Sequence, residues 1–112
     1  MKSFGKILVV LTLLFMTTGL SAQIENTKIA IIKVSGNCGM CKKTIEKAGS
    51  VTNFAEVVWD KNTKLATITY NEKKIVLSTI LKKIAKAGYN NEMYKAKDKD
   101  YNKLPACCQY ER

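Results

Sequence analysis

The sequence predicts an α+β sandwich in which two amphipathic helices cover one face of a four-stranded antiparallel sheet. Three observations carry this. Four short segments have strand character, two repeat apolar residues at helical spacing, and their order is strand, helix, strand, strand, helix, strand. Each segment is also bounded by residues that suit a turn or a helix stop.

Thr27 to Val34 alternates, with Ala30, Ile32 and Val34 on one face and Ile29, Ile31 and Lys33 on the other. Ser35 to Gly39 is a loop. Met40 to Ala48 reads as a helix with Cys41, Ile45 and Ala48 on its apolar stripe, and Gly49 suits a left-handed stop. Asn37 is placed to cap it. Phe54 to Trp59 and Lys64 to Tyr70 form a hairpin around Asp60-Lys61-Asn62-Thr63. Ala55, Val57 and Trp59 share one side of the first strand, and Ala66, Ile68 and Tyr70 one side of the second. Ile75 to Ala87 is a second helix, buried through Leu77, Ile80, Leu81 and Ile84 and ended by Gly88. Asn91 to Ala96 is expected as a short edge strand. Two strand–helix–strand units in this order make a split βαβ, or ferredoxin-like, βαββαβ domain.

The expected organisation has three parts: a signal peptide over 1–22, a folded domain over 23–97 and a Cys-containing tail over 98–112. Lys2 and Lys6 precede the apolar run Ile7 to Met16, and Gly19-Leu20-Ser21-Ala22 offers small residues for cleavage. The run is short for a membrane anchor, which needs about 20 apolar residues. Cleavage near Ala22 implies an exported, periplasmic product. Without Lys2 and Lys6 the 19 basic residues fall to 17 against 9 acidic ones, a net charge of +8. The charges are dispersed Lys, with Arg112 the single Arg, which argues against a nucleic-acid partner and for a solvated surface.

The chain has four Cys and no His. Cys38 and Cys41 are separated by two residues, and Cys107 and Cys108 are adjacent. Neither local pairing would close a long loop, so neither reads as a simple staple. The loop-to-helix context places Cys38 just before the helix and Cys41 on its first turn. Backbone N–H groups and the helix dipole favour the thiolate there, and the thiolate is the form that coordinates metal. Soft thiolates suit Cu(I), with Hg(II), Zn(II) or Cd(II) as alternatives. Met40 is a candidate thioether ligand, although a place on the first helical turn favours packing it into the core. The apolar stretch Leu104 to Tyr110 could bring Cys107 and Cys108 to the same ion. A disulfide between the two pairs and a loose terminal segment are the other readings of that stretch.

Gly36-Asn37-Cys38-Gly39-Met40-Cys41, the flanking Val34 and the downstream Ala87-Gly88-Tyr89 resemble the heavy-metal-associated domain. That family includes copper chaperones, the metal-binding domains of copper-transporting ATPases and periplasmic mercuric-ion binding proteins. The resemblance covers about Thr27 to Ala96 and implies a βαββαβ fold with metal held by Cys38 and Cys41, without catalysis. One departure is that no Met precedes the pair, whereas Met40 sits inside it. The family Met supports the loop from the core, so its absence bears on loop packing more than on metal binding. Tyr89 matches an aromatic that lies near the metal loop in bacterial members, and it reads equally as a core residue after a helix stop.

The expected function is therefore capture of a soft ion and its transfer or sequestration, not an enzymatic reaction. The expected partners are a metal-transporting membrane protein or another CxxC protein, and the expected state is a monomer, with a metal-bridged dimer as an alternative. Two other functions share these residues: a thiol–disulfide oxidoreductase, and a disulfide-stapled binding domain without metal.

Overall fold

A computed structural model describes residues 24–112, so the expected signal peptide lies outside the described residues. No helix among them is long and apolar enough to cross a membrane. The chain forms strand β1 (Thr27–Lys33), helix α1 (Gly39–Gly49), strands β2 (Ala55–Trp59) and β3 (Leu65–Asn71), and helix α2 (Leu77–Lys86). A short helix α3 (Asp98–Asn102) and a 3-10 turn (Ala106–Cys108) follow.

The sheet has three antiparallel strands in the order β1-β3-β2. Its register pairs Ala30 with Ile68 and Ile68 with Val57, so the three strands turn the expected faces together. Ala55, Val57, Trp59, Ala66, Ile68 and Tyr70 are buried beneath the helices. The other face is open, with Ile29 63% and Ile31 60% exposed. Helix α2 meets this core through Ile80, Leu81 and Ile84.

The expected fourth strand is absent among the described residues. Asn91 makes a single antiparallel bridge to Val34, and the chain then turns away. The cause is local. The Asn91 side-chain oxygen accepts the backbone N–H groups of Met93 (3.1 Å) and Tyr94 (3.0 Å), which closes a turn where a strand would need to stay extended. The free edge of β1 is met by a side chain instead, because the Lys33 N–H donates to the Glu92 carboxylate at 2.7 Å. The hairpin follows the expected turn: Asp60 Oδ1 accepts from Asn62 N–H at 2.7 Å and Thr63 N–H at 3.1 Å.

Two helix ends with the same Lys-Ala-Gly sequence have different physical reasons for their glycine. Gly88 adopts φ +110°, a left-handed conformation that suits glycine. Gly49 does not act as a left-handed stop. It is the buried last residue of α1, and a Cβ there would lie 2.7 Å from Val57 Cγ2 and 3.0 Å from Ile84 Cδ1. Gly49 therefore permits close approach of α1 to both β2 and α2.

Beyond α2 the chain folds back onto the domain. Leu104, Cys108 and Tyr110 join the main hydrophobic cluster. The tail is a packed part of the fold, and the reading of a loose terminal segment is overturned.

Candidate metal centre

Cys38 is the N-cap residue of α1, in extended conformation, and makes no side-chain cap bond. Asn37 does not cap the helix either. Its side-chain N–H reaches the Cys107 carbonyl at 3.4 Å, and its backbone N–H points to Cys41 Sγ at 3.4 Å. Three residues after Cys38, the helical turn carries Cys41 onto the buried stripe that also holds Ile45. The two sulfurs lie 3.4 Å apart.

The loop before Cys38 is braced by Trp59 and Lys64, two residues the sequence reading did not assign to the site. Trp59 Nε1–H donates to the Val34 carbonyl at 3.0 Å. A Cβ at Gly36 would lie 2.9 Å from the Trp59 ring, so glycine lets the loop lie against it. Lys64 Nζ donates to the Gly36 carbonyl at 2.7 Å. A large aromatic ending a strand was visible in the sequence, but nothing local said that it would reach this loop. Lys42 is paired with Glu46 at 2.6 Å and bonded to the Trp59 carbonyl at 2.8 Å, so it ties α1 to the end of β2.

The 3-10 turn places Cys108 in the interior, next to the first pair. Cys38, Cys41 and Cys108 form a group whose sulfurs all lie within 4.8 Å of one another. Cys38 to Cys108 is 3.8 Å. Cys107 is exposed and adjoins this group from outside, 3.7 Å from Cys38 Sγ and 4.0 Å from Cys108 Sγ. All four Cys are free thiols, so no disulfide joins the two pairs in this structure. Met40 is not in the core: it is 52% exposed, with its thioether 3.9 Å from Cys107 Sγ.

Tyrosines set the position of Cys108. The Tyr110 hydroxyl donates to the Gly88 carbonyl at 2.7 Å and accepts from the Asn90 N–H at 2.9 Å. The Tyr101 hydroxyl donates to the Tyr110 carbonyl, and the two rings meet edge to face at 5.0 Å. Tyr89 stacks on Tyr110 at 6.0 Å. These contacts fasten both sides of the turn that carries Cys107 and Cys108.

The thiols differ electrically. The backbone N–H of Cys41 at the helix start, with help from the Cys41 and Cys107 side chains, lowers the Cys38 thiol to about 6. Cys108 is pushed well above the ordinary thiol range, first by burial and then by Cys41. Cys107 is raised as well, chiefly by its hydrogen bond with Cys38. The metal-free cluster therefore favours a thiolate at Cys38 and neutral thiols at Cys107 and Cys108. Binding a cation would expel the remaining protons.

Tyr89 completes the centre. It is fully buried, and its hydroxyl has no hydrogen-bond partner. Burial, then the neighbouring Cys108 and Cys41, raise its pKa, so it remains a neutral donor. An unpartnered buried hydroxyl costs about 1–3 kcal/mol. Thiolates formed on metal binding would supply the acceptor that this hydroxyl lacks, which suits an anionic sulfur cluster at the site.

The spacing also bears on coordination. With a metal–sulfur bond of about 2.3 Å, sulfurs lie about 3.8 Å apart in a tetrahedral site, about 4.0 Å in a trigonal one and about 4.6 Å in a linear one. The 3.4 Å between Cys38 and Cys41 and 3.8 Å between Cys38 and Cys108 fit a site of three or more sulfurs better than a linear pair. The cluster can hold a metal ion, and its thiolate donors suit soft ions. No family model, curated protein or solved structure matches the chain.

Proposed function

We propose that this protein is an exported carrier or scavenger of a soft metal ion, Cu(I) foremost, held by Cys38, Cys41 and Cys108. The observation that carries the reading is the convergence of these three sulfurs within 4.8 Å from two segments 66 or more residues apart in sequence. Three thiolates suit trigonal Cu(I). Zn(II) or Cd(II) would take a fourth sulfur, which Cys107 offers at 3.7 Å from Cys38. Hg(II) is served by the same donors.

On this reading the domain acts by ligand exchange and not by catalysis. It is a monomer that meets a metal-transporting membrane protein or another CxxC protein. Resemblance of the Cys38–Cys41 loop to the heavy-metal-associated domain supports the reading. So does the strand order, with the Asn91 bridge to Val34 lying where the fourth strand of a ferredoxin-like sheet would start.

The test is anaerobic loading with Cu(I), followed by elemental analysis and native mass spectrometry. Wild type should hold one ion per chain. The Cys38→Ser/Cys41→Ser double variant should hold none while keeping its fold. Stoichiometric Cu(I) on that variant would sink the reading.

A thiol–disulfide oxidoreductase is the second reading, favoured by the lowered Cys38 thiol and its 3.4 Å approach to Cys41. Insulin reduction that depends on Cys38, with no metal retained, would establish it instead.

A further inference from the structure

The three-sulfur nest poses an access problem. Cys41 and Cys108 are fully buried, and only Cys38 reaches the surface in part. A donor or acceptor that carries the ion on its own sulfurs cannot approach the two buried thiols directly. Two further sulfurs stand outside the nest. Cys107 is exposed, Met40 is 52% exposed, and their sulfur atoms lie 3.9 Å apart. Cys107 Sγ is also 3.7 Å from Cys38 Sγ, so the outer sulfurs connect to the inner ones. The backbone of Cys107 is held in place by Asn37, whose side-chain N–H donates to its carbonyl at 3.4 Å.

We infer that Cys107 and Met40 form a second, transient soft-metal station at the mouth of the nest, through which the ion enters and leaves. The inference rests on the reading of the nest as a Cu(I) site. Adjacent cysteines then do different work: Cys108 retains the ion, and Cys107 passes it.

The station works by successive ligand replacement. A thiol-bound Cu(I) delivered to the mouth first bonds Cys107 Sγ, whose proton leaves to water, and Met40 Sδ, which carries no proton. The bond to the delivering thiolate breaks, and that thiolate is protonated or departs as an anion. Cys38 Sγ then bonds the ion as the Met40 bond breaks. Cys108 and Cys41 bond next, each releasing its proton to water if it still holds one, and the Cys107 bond breaks with uptake of a proton. The ion remains Cu(I) throughout, and no electrons are transferred. Unloading is the same sequence reversed. A thioether suits the outer position because it is a soft but uncharged donor that yields readily to thiolate.

The test separates retention from passage. Wild type, Cys107→Ser, Met40→Leu and Cys108→Ser are loaded anaerobically with Cu(I). Equilibrium affinity is measured by competition with bathocuproine disulfonate, and the release rate by stopped flow with the same chelator in excess. Both outer side chains are exposed, so their substitution should leave the fold intact, which a thermal melt verifies.

Cys107→Ser and Met40→Leu should keep affinity within about 3-fold of wild type while slowing release by about 10-fold or more. Cys108→Ser should lose affinity by about 100-fold. Unchanged release rates in both outer variants would overturn the station. So would a loss of affinity in Cys107→Ser as large as in Cys108→Ser, because Cys107 would then be a resting ligand. Wild-type protein that takes up no Cu(I) would defeat the parent reading and the station together. That result is read from wild type alone, so it is distinct from failure of the station.

Discussion

The sulfur cluster is supplied by two regions built on different principles. Cys38 and Cys41 owe their proximity to local structure: an extended N-cap residue followed by one helical turn. Cys107 and Cys108 are 66 or more residues further along, and they reach the same place through three tyrosines. The first region forms wherever α1 forms. The second depends on tertiary packing, and it touches the first through the Asn37 bond to the Cys107 carbonyl and the core cluster shared with Cys41. An ion held by both regions reports on the folded tail, whereas an ion held by the first alone does not.

That contrast can be broken most strongly at Tyr110. Tyr110→Phe removes the bonds to the Gly88 carbonyl and the Asn90 N–H, leaving both backbone groups without this partner. A loss of about 1–3 kcal/mol of stability is expected, seen as a lower melting temperature. Retention of Cu(I) should also weaken, because two of the bonds that fasten the turn carrying Cys108 are lost. Unaltered stability together with unaltered affinity would show that the tail is positioned by other contacts.

A smaller and opposite signature is expected at Tyr89. Tyr89→Phe deletes a buried hydroxyl that has no partner in the metal-free protein. The metal-free melting temperature should hold or rise, while Cu(I) affinity falls by about 10-fold through loss of a donor to the metal-bound thiolates. A fall in metal-free stability would mean that the hydroxyl is bonded before metal arrives.

The mildest test compares the two regions by titration. In the metal-free protein, alkylation of Cys38 by iodoacetamide should rise with an inflection near pH 6, while Cys107 reacts only in more alkaline solution. The linkage has a definite sign. The Cys38 thiol titrates lower in the folded chain than its ordinary value of 9.0. Its contribution to stability is therefore complete above that ordinary value and is lost as pH falls through about 6. Equal reactivity profiles for the two thiols, read by peptide mass spectrometry, would erase the distinction.

Much of the fold was legible because it rests on short-range pattern. The alternation in β1, β2 and β3 and the apolar stripes of α1 and α2 appear where the sequence places them, with helix ends moved by one or two residues. The fourth strand was not legible, because Asn91 and Glu92 compete for the backbone groups of that region through their side chains. Gly49 was misread as a left-handed stop for a related reason. Its sequence context is that of Gly88, and only packing against Val57 and Ile84 separates the two roles. Met40 was misplaced because residence on the first helical turn does not say which way a side chain faces.

By itself the sequence determined the thiol chemistry: a CxxC at a helix start, four Cys with no His, and the pattern that makes α1 amphipathic. It left open whether Cys107 and Cys108 were ligands, a disulfide or a loose end. Tertiary structure decided that Cys108 lies in the nest and Cys107 at its mouth, although the two are neighbours in the chain. The physical reason is that a coordination sphere is a set of distances between side chains. Sequence spacing controls such distances only within a turn or two of helix, and across 66 residues they are set by the packing of Tyr89, Tyr101 and Tyr110.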